Sequence, residues 1–270
     1  MKKTSTLWLN ITLLLFSSFG IAKPLVFGIV PQQSASRLAD TWTPVIKALS
    51  ETSGLEIVFA TAPDIPTFEQ RLANGDYDIA YMNPYHYVVY HERSGYQAIA
   101  KAKDTRIHGL IVVNAQSDIH DIRQLSGQTL AFPSPAAFAA TILTQGYLNQ
   151  QGITFQSKYV SSHDSVYLNV AKGFIPAGGG IERTLKAAPE EVRKQLRVLW
   201  TSAGYTPHPI AVKSQIAADT QLIIQSALAN LHQRSDGAEL LSPLKISAFL
   251  PATDQDWNDI RELNINVLDH

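Results

Sequence analysis

The sequence of 270 residues sets 22 lysines and arginines against 23 aspartates and glutamates, a formal charge of −1 with its 8 histidines neutral. That balance, with no basic tail or patch, argues against a nucleic-acid ligand. The complete lack of cysteine excludes disulfides, thiolate metal sites and a lipid-modified cysteine behind a leader.

The first element is a leader. Lys2 and Lys3 precede an apolar run from Leu7 to Phe19, and Gly20-Ile21-Ala22 places small residues before Lys23. This pattern reads as a cleaved signal peptide over residues 1–22, with an apolar run too short to span a bilayer. The expected product is exported, not lipid-anchored, and long enough for two lobes. Without Lys2 and Lys3 it carries 20 basic and 23 acidic residues.

From Lys23 the pattern alternates. "LVFGIV" is a buried-type strand, and Ser36–Leu49 has helical spacing through Leu38, Trp42, Val45, Ile46 and Leu49. "LEIVFAT" is a second strand. "DIPTFEQRLANG" is a helix capped by Asp64 or Thr67 and stopped by Gly75. "YDIAYM" is a third strand, and Pro84 opens a helix through Arg93. Strand–helix alternation of this kind predicts an open α/β sheet with mainly parallel strands.

"YQAIAKAK" and "HGLIVVN" then read as two long strands leaving this lobe. Alternation restarts with "TLAFP", a helix over 136–150, "FQSKYVS" and a helix from Asp164 to Lys172. A glycine-rich turn at 178–180, a helix from Ile181 to Lys186 and "LRVLWTS" complete a second lobe. "PHPIAVK" is one more strand, followed by two or three closing helices, the last around Trp257–Leu263. The predicted lobes are 23–104 with 209–270, and 105–208, joined by two crossings that act as a hinge. Ligands of open α/β sheets bind beyond the carboxyl ends of the strands, here in the cleft between lobes.

At "GDYDIAYMNPYHYVVYHERSGYQAIA" the chain resembles the periplasmic substrate-binding proteins of phosphonate, phosphite and phosphate ABC transporters. "GIVPQQSASRLADTWTPVIKALSE", "SSHDSVYLNVAKG", "LRVLWTSAGYTPHPIAVK" and "ISAFLPATDQDWNDIRELN" extend the resemblance over nearly all of the exported portion. It implies a type II periplasmic-binding-protein fold, two α/β lobes joined by a two-crossing hinge. It also implies a monomer without cofactor that captures a small anionic or zwitterionic ligand and delivers it to an inner-membrane permease. A sensing role, presenting the bound form to a membrane receptor, is the alternative.

The resemblance also implies site residues. The turn from "TLAFP" into the next helix, Ser134 to Ala137, is where the family docks the ligand's anionic head on helix N–H groups and neighbouring hydroxyls. Here Ser134 remains, but Ala136 and Ala137 stand where hydroxyls are usual, which argues against tight phosphonate binding. It leaves the site less suited to inorganic phosphate than in typical relatives, in favour of a bulkier or less charged compound such as an organophosphonate or a zwitterion. His163 matches the family's ligand-donating histidine, and a neutral ring is expected beside helix N-termini. Asp164 adjoins it, or else caps its helix with Ser162. The family's acidic or Asn position is replaced by Gly178-Gly179-Gly180, whose backbone, at Gly179 above all, could approach a ligand closely. Asn83 and Tyr85 close the third strand, Tyr81 lines the cleft floor, and Gln32, Gln33 and Ser34 follow the first strand. Tyr205 and His208 are expected walls in the hinge, with His108 a weaker candidate.

Catalytic signatures are missing. No G-x-S-x-G elbow, H-E-x-x-H or P-loop occurs, and the eight histidines show no ligand spacing. The run "SSHDS" holds adjacent residues that point in different directions and cannot form a triad by proximity. A binding protein with no metal is the expectation.

Overall fold

The computed structural model describes residues 23–268; the signal peptide expected over 1–22 lies outside the described residues. The first half opens with β1 (Leu25–Ile29), α1 (Ala35–Ser53), β2 (Ile57–Thr61), α2 (Ile65–Asn74), β3 (Ile79–Tyr81) and α3 (Pro84–Ser94). Each helix starts on a side-chain cap. Ser34 accepts from the Arg37 N–H, Asp64 from Thr67 and Asn83 from His86. The helical spacing read in α1 buries Leu38, Trp42, Val45, Ile46 and Leu49 against the sheet. Each such apolar side chain contributes roughly 1.5–3 kcal/mol relative to exposure.

Next come β4 (Tyr96–Ala102), β5 (Gly109–Asn114), β6 (Gln128–Phe132), a π-helix (Phe138–Leu143), α4 (Thr144–Gln150), β7 (Phe155–Tyr159) and α5 (His163–Ala171). They are followed by β8 (Ala177–Ile181), α6 (Glu182–Ala187), α7 (Glu190–Arg193), β9 (Leu196–Thr201) and β10 (Pro209–Lys213). The chain closes with α8 (Ala218–Asn230), α9 (Gly237–Leu241), β11 (Phe249–Pro251) and α10 (Asn258–Arg261).

Two sheets form. The first has the order β11-β4-β10-β3-β1-β2 and the second β7-β6-β8-β5-β9. Strands β1, β2 and β3 are parallel as expected, but β10 runs antiparallel to both β3 and β4. The first sheet is therefore mixed, and β4 stays inside it instead of leaving it. The interlobe segments are shorter than read, 103–108 and 202–208. They clasp each other through Ile107 and Tyr205, whose N–H groups donate reciprocally at 2.8 and 3.0 Å.

The largest departure is at the three glycines. They form β8, the central strand of the second sheet, flanked by β6 and β5. Gly178 and Gly180 face α5, where added Cβ atoms would meet Val166 at 2.4 Å and the Tyr167 hydroxyl at 2.5 Å. Gly179 faces the other way, and its Cβ would lie 1.8 Å from the Ala140 carbonyl oxygen. On neighbouring β5, a Cβ at Gly109 would come within 2.2 Å of the Ala139 oxygen. Glycine is required because two helices pack directly onto strand backbone, one on each face.

The segment expected as one helix over 136–150 is split. Its first turns are the π-helix, where Thr141 and Ile142 both donate to the Ala137 carbonyl, at 2.7 and 3.3 Å. Wide turns of this kind concentrate at functional sites. Residues 136–140 and Ile181 pack into the same apolar cluster as the core of the first sheet, so the two halves are closed on one another.

Candidate functional site

The carboxyl ends of β1, β3, β6, β7 and β8 all point to the junction between the sheets. Gln32 after β1, Asn83 after β3 and His163 after β7 line one pocket there, Arg183 after β8 bonds Gln32, and Ser134 after β6 lies just ahead of the helix on that pocket's wall. This is the geometry by which open α/β sheets build binding sites.

An inner pocket of about 10 Å³, room for a single water-sized sphere, lies between the halves. Gln32, Asn83, His163 and His208 meet there with Ala137–Ala140, and its lining contains no carboxylate. The N–H groups that open the π-helix have no intrahelical acceptor, so this helix end favours negative charge. Ser134 sits just ahead of it. Its Oγ is buried and makes no hydrogen bond among the described residues, and the helix has no side-chain cap. Ser134 therefore does not cap its own helix. A buried hydroxyl left without a partner costs about 1–3 kcal/mol and marks a place where another group is expected.

His163 and His208 are both almost completely buried. Burial, aided by the Arg183 charge, pulls His163 down to about 3 and His208 well below its ordinary value, so both rings are neutral at pH 7. His163 Nδ1 lies 3.3 Å from the Thr184 hydroxyl, itself 2.7 Å from the Tyr167 hydroxyl. The His163 ring is thus oriented from behind. His208 stacks on Tyr81 at 5.1 Å, and its Nε2 is 3.0 Å from Gln32 Nε2. Burial pushes the Tyr81 hydroxyl up.

Several contacts join the halves directly. Asn83 Nδ2 donates to the Ala136 carbonyl at 3.0 Å, while its Oδ1 caps α3. The His163 N–H donates to the Gln32 carbonyl at 3.0 Å. Arg183 donates to Gln32 Oε1 and lies 5.7 Å over the Tyr81 ring. Arg37 pairs with Asp164 at 3.2 Å and also reaches the Ala187 carbonyl.

Other expected residues fall elsewhere. Ser34 is an exposed helix cap that accepts from the Arg37 N–H. Asp164 faces Arg37 instead of the pocket; burial raises its pKa, against the pull of that guanidinium. Tyr85 points into the first half, where its hydroxyl accepts from the Leu268 N–H. Gly179 is roofed by the Ala140 carbonyl and has no open face for a ligand. Tyr205 meets Phe138 edge to face at 5.7 Å. His108 donates through Nδ1 to Ser202 and lines a second cavity.

That second cavity, of about 420 Å³, shares Ile107, Ile181 and His208 with the inner pocket. Tyr81, Arg106, His108, Arg183, Lys186 and Lys245 also line it. Sequence reading missed Arg183 because the glycine run was taken as a turn. Recognised as a strand, its carboxyl end would have drawn attention to Arg183 and Thr184. Among the described residues no cluster of His, Cys, Asp or Glu could hold a metal, and no helix is long and apolar enough to cross a membrane.

Comparison with known proteins gives a consistent result. The family described as "ABC transporter, phosphonate, periplasmic substrate-binding protein" matches residues 27–257. A phosphate-import protein PhnD of Mycolicibacterium smegmatis is 21% identical over 212 residues, 68% of this chain and 64% of that protein. The phosphonates-binding periplasmic protein of Escherichia coli is 22% identical over 257 residues, 89% of this chain and 76% of its own length. Among solved structures, PhnD1 of Prochlorococcus marinus, determined with methylphosphonate, superposes with a TM-score of 0.83 at 17% identity. The match covers 90% of this chain and 97% of that one.

Proposed function

The chain belongs to the family of periplasmic substrate-binding proteins of phosphonate ABC transporters, and from that premise we propose that it captures an organophosphonate between its two lobes and presents it to a membrane permease. The observation that carries this reading is the inner pocket. Ala137–Ala140 at the helix N-terminus and the neutral His163 line it with no carboxylate. The unpartnered Ser134 hydroxyl lies just ahead of that helix, and the Arg183 cation reaches the pocket's Gln32 from the neighbouring cavity. Donors from both halves let an anion bias closure, because a ligand shifts the equilibrium only through contacts that differ between open and closed forms.

The pocket's other surfaces support a head group with an organic substituent over bare phosphate. Val30, Ile65, Ile107, Phe138 and Ile181 supply apolar walls. One serine hydroxyl, in place of several, leaves a fully charged phosphate under-bonded. An anionic head with an organic substituent uses both features once the halves part to admit it, since the closed pocket holds only a single water-sized sphere. The head displaces the Arg183–Gln32 contact and takes its donors.

A thermal-shift and calorimetry panel of methylphosphonate, inorganic phosphate and sulfate tests this. Saturation at about 100 times Kd adds roughly 2.7 kcal/mol, or about 5–11 °C in melting temperature for a chain of this size. Methylphosphonate is expected to give the larger shift. A shift with phosphate alone would overturn the assignment.

A further inference from the structure

The larger cavity has a charge composition that a lone head group does not require. Arg106, Arg183, Lys186 and Lys245 line it against Asp104 and Glu182. Two of these cations are already neutralised: Arg106 pairs with Asp259 at 3.1 Å, and Lys186 closes on Glu182 one turn away. Two are not. The Arg183 hydrogen-bond partner across the cleft is the neutral amide of Gln32, and Lys245 makes no ion pair among the described residues. Among the described residues Asp104 is the one lining carboxylate left without an ion pair, so the cavity keeps an excess of positive charge.

Arg183 belongs to both spaces. It lines the cavity, bonds Gln32 of the inner pocket and depresses the protonation of both buried histidines. Lys245 is set at the cavity by an unusual backbone. Its φ of 57° is left-handed, at a turn after α9 where glycine or asparagine is the common occupant. A lysine there carries a long cationic arm at the expense of backbone strain.

Resting on the phosphonate reading above, we infer that this cavity binds a second anionic group of the ligand, a carboxylate or phosphoryl, through Arg183 and Lys245. The preferred substrates are then phosphonates with two anionic ends. An aminoalkyl tail would instead bring an ammonium group against two cations, with Asp104 alone to receive it. The cavity's volume lies within the range of ligand-holding pockets, so the substituent has room beside the buried head.

The test is calorimetry on the exported protein with methylphosphonate, phosphonoacetate and aminomethylphosphonate. Phosphonoacetate is expected to bind about tenfold or more tightly than methylphosphonate, the scale of one charge-assisted bond, and aminomethylphosphonate more weakly than methylphosphonate. Lys245→Gln should reduce the phosphonoacetate-to-methylphosphonate ratio to about threefold or less. Phosphonoacetate binding no tighter than methylphosphonate, or an unchanged ratio in Lys245→Gln, overturns the inference while the phosphonate reading stands. Aminomethylphosphonate as the tightest ligand overturns it in favour of an Asp104 site for ammonium. A protein that binds none of the three overturns the phosphonate reading and this inference together.

Discussion

Replacing Gly179 by alanine perturbs the site without touching a ligand. The added Cβ would sit 1.8 Å from the Ala140 carbonyl oxygen, 3.0 Å from its carbon and 2.8 Å from the Phe132 ring. Ordinary contact for a Cβ begins near 3.4 Å, so the π-helix and β8 must separate by roughly 1.5 Å at this point. Backbone lies on both sides, and no flexible side chain can absorb the displacement. Overpacking of a filled core typically costs 1–3 kcal/mol and more when the backbone itself must move. A loss of about 3 kcal/mol is expected, a fall of roughly 6–12 °C in melting temperature. The displaced backbone is also the donor wall of the inner pocket, so affinity for methylphosphonate should drop at least about tenfold, the result of a donor misplaced by an ångström. Gly146→Ala is the control. It lies in α4 with nothing within 4 Å of an added Cβ, and should stabilise by about 0.5–1 kcal/mol. Scanning calorimetry and titration calorimetry on both variants decide the matter. A Gly179→Ala protein that melts with the wild type and binds with unchanged affinity would refute the glycine–carbonyl packing as the support of the site.

Ser134→Ala should weaken binding by about 1–3 kcal/mol while leaving the melting temperature of the free protein unchanged or raised, since the hydroxyl is buried without a partner; a lowered melting temperature with intact affinity would assign it to the fold. Arg37→Ala removes a part-exposed pair with Asp164 that spans the cleft mouth, and should cost every ligand a similar two- to fivefold in affinity, about 0.5–1 kcal/mol. A more expanded free protein in solution scattering should accompany it; selective loss for one ligand would instead place Arg37 in the specificity site. His163 provides a pH test. Its folded pKa, about 3, lies below the unfolded value near 6.5. The unfolded state therefore binds the extra proton, and the stability held above pH 6.5 is lost progressively as pH falls toward 3. His163→Gln should flatten that part of the melting-temperature profile, and superimposable acid limbs would show that this ring does not govern it.

Much of the fold was legible in the sequence because it rests on local rules. Period 3.6 in α1, the cap at Asp64 and the strand–helix alternation need only near neighbours to be recognised. So does the turn at Pro133–Pro135 after a strand, whose helix end the family resemblance implied as an anion seat. The familiar spacing of "YMNPYHY" and "SSHDS" led to Asn83 and His163, and both stand at the junction. Composition alone also argued against nucleic acid and thiolate chemistry.

Contacts distant in sequence decided the rest. Three consecutive glycines have the local signature of a turn, and only the helices packed on either side make them the centre of a sheet. Their misreading concealed Arg183, which is chemically ordinary until β8 aims it across the cleft at Gln32 and Tyr81. Tyr85 and Asp164 lie near Asn83 and His163 in the chain, yet their partners, Leu268 and Arg37, come from 183 and 127 positions away. A helix end is written in the chain as a short pattern. Which side chain it meets across a cleft depends on how two sheets fold and close, and no local pattern carries that information.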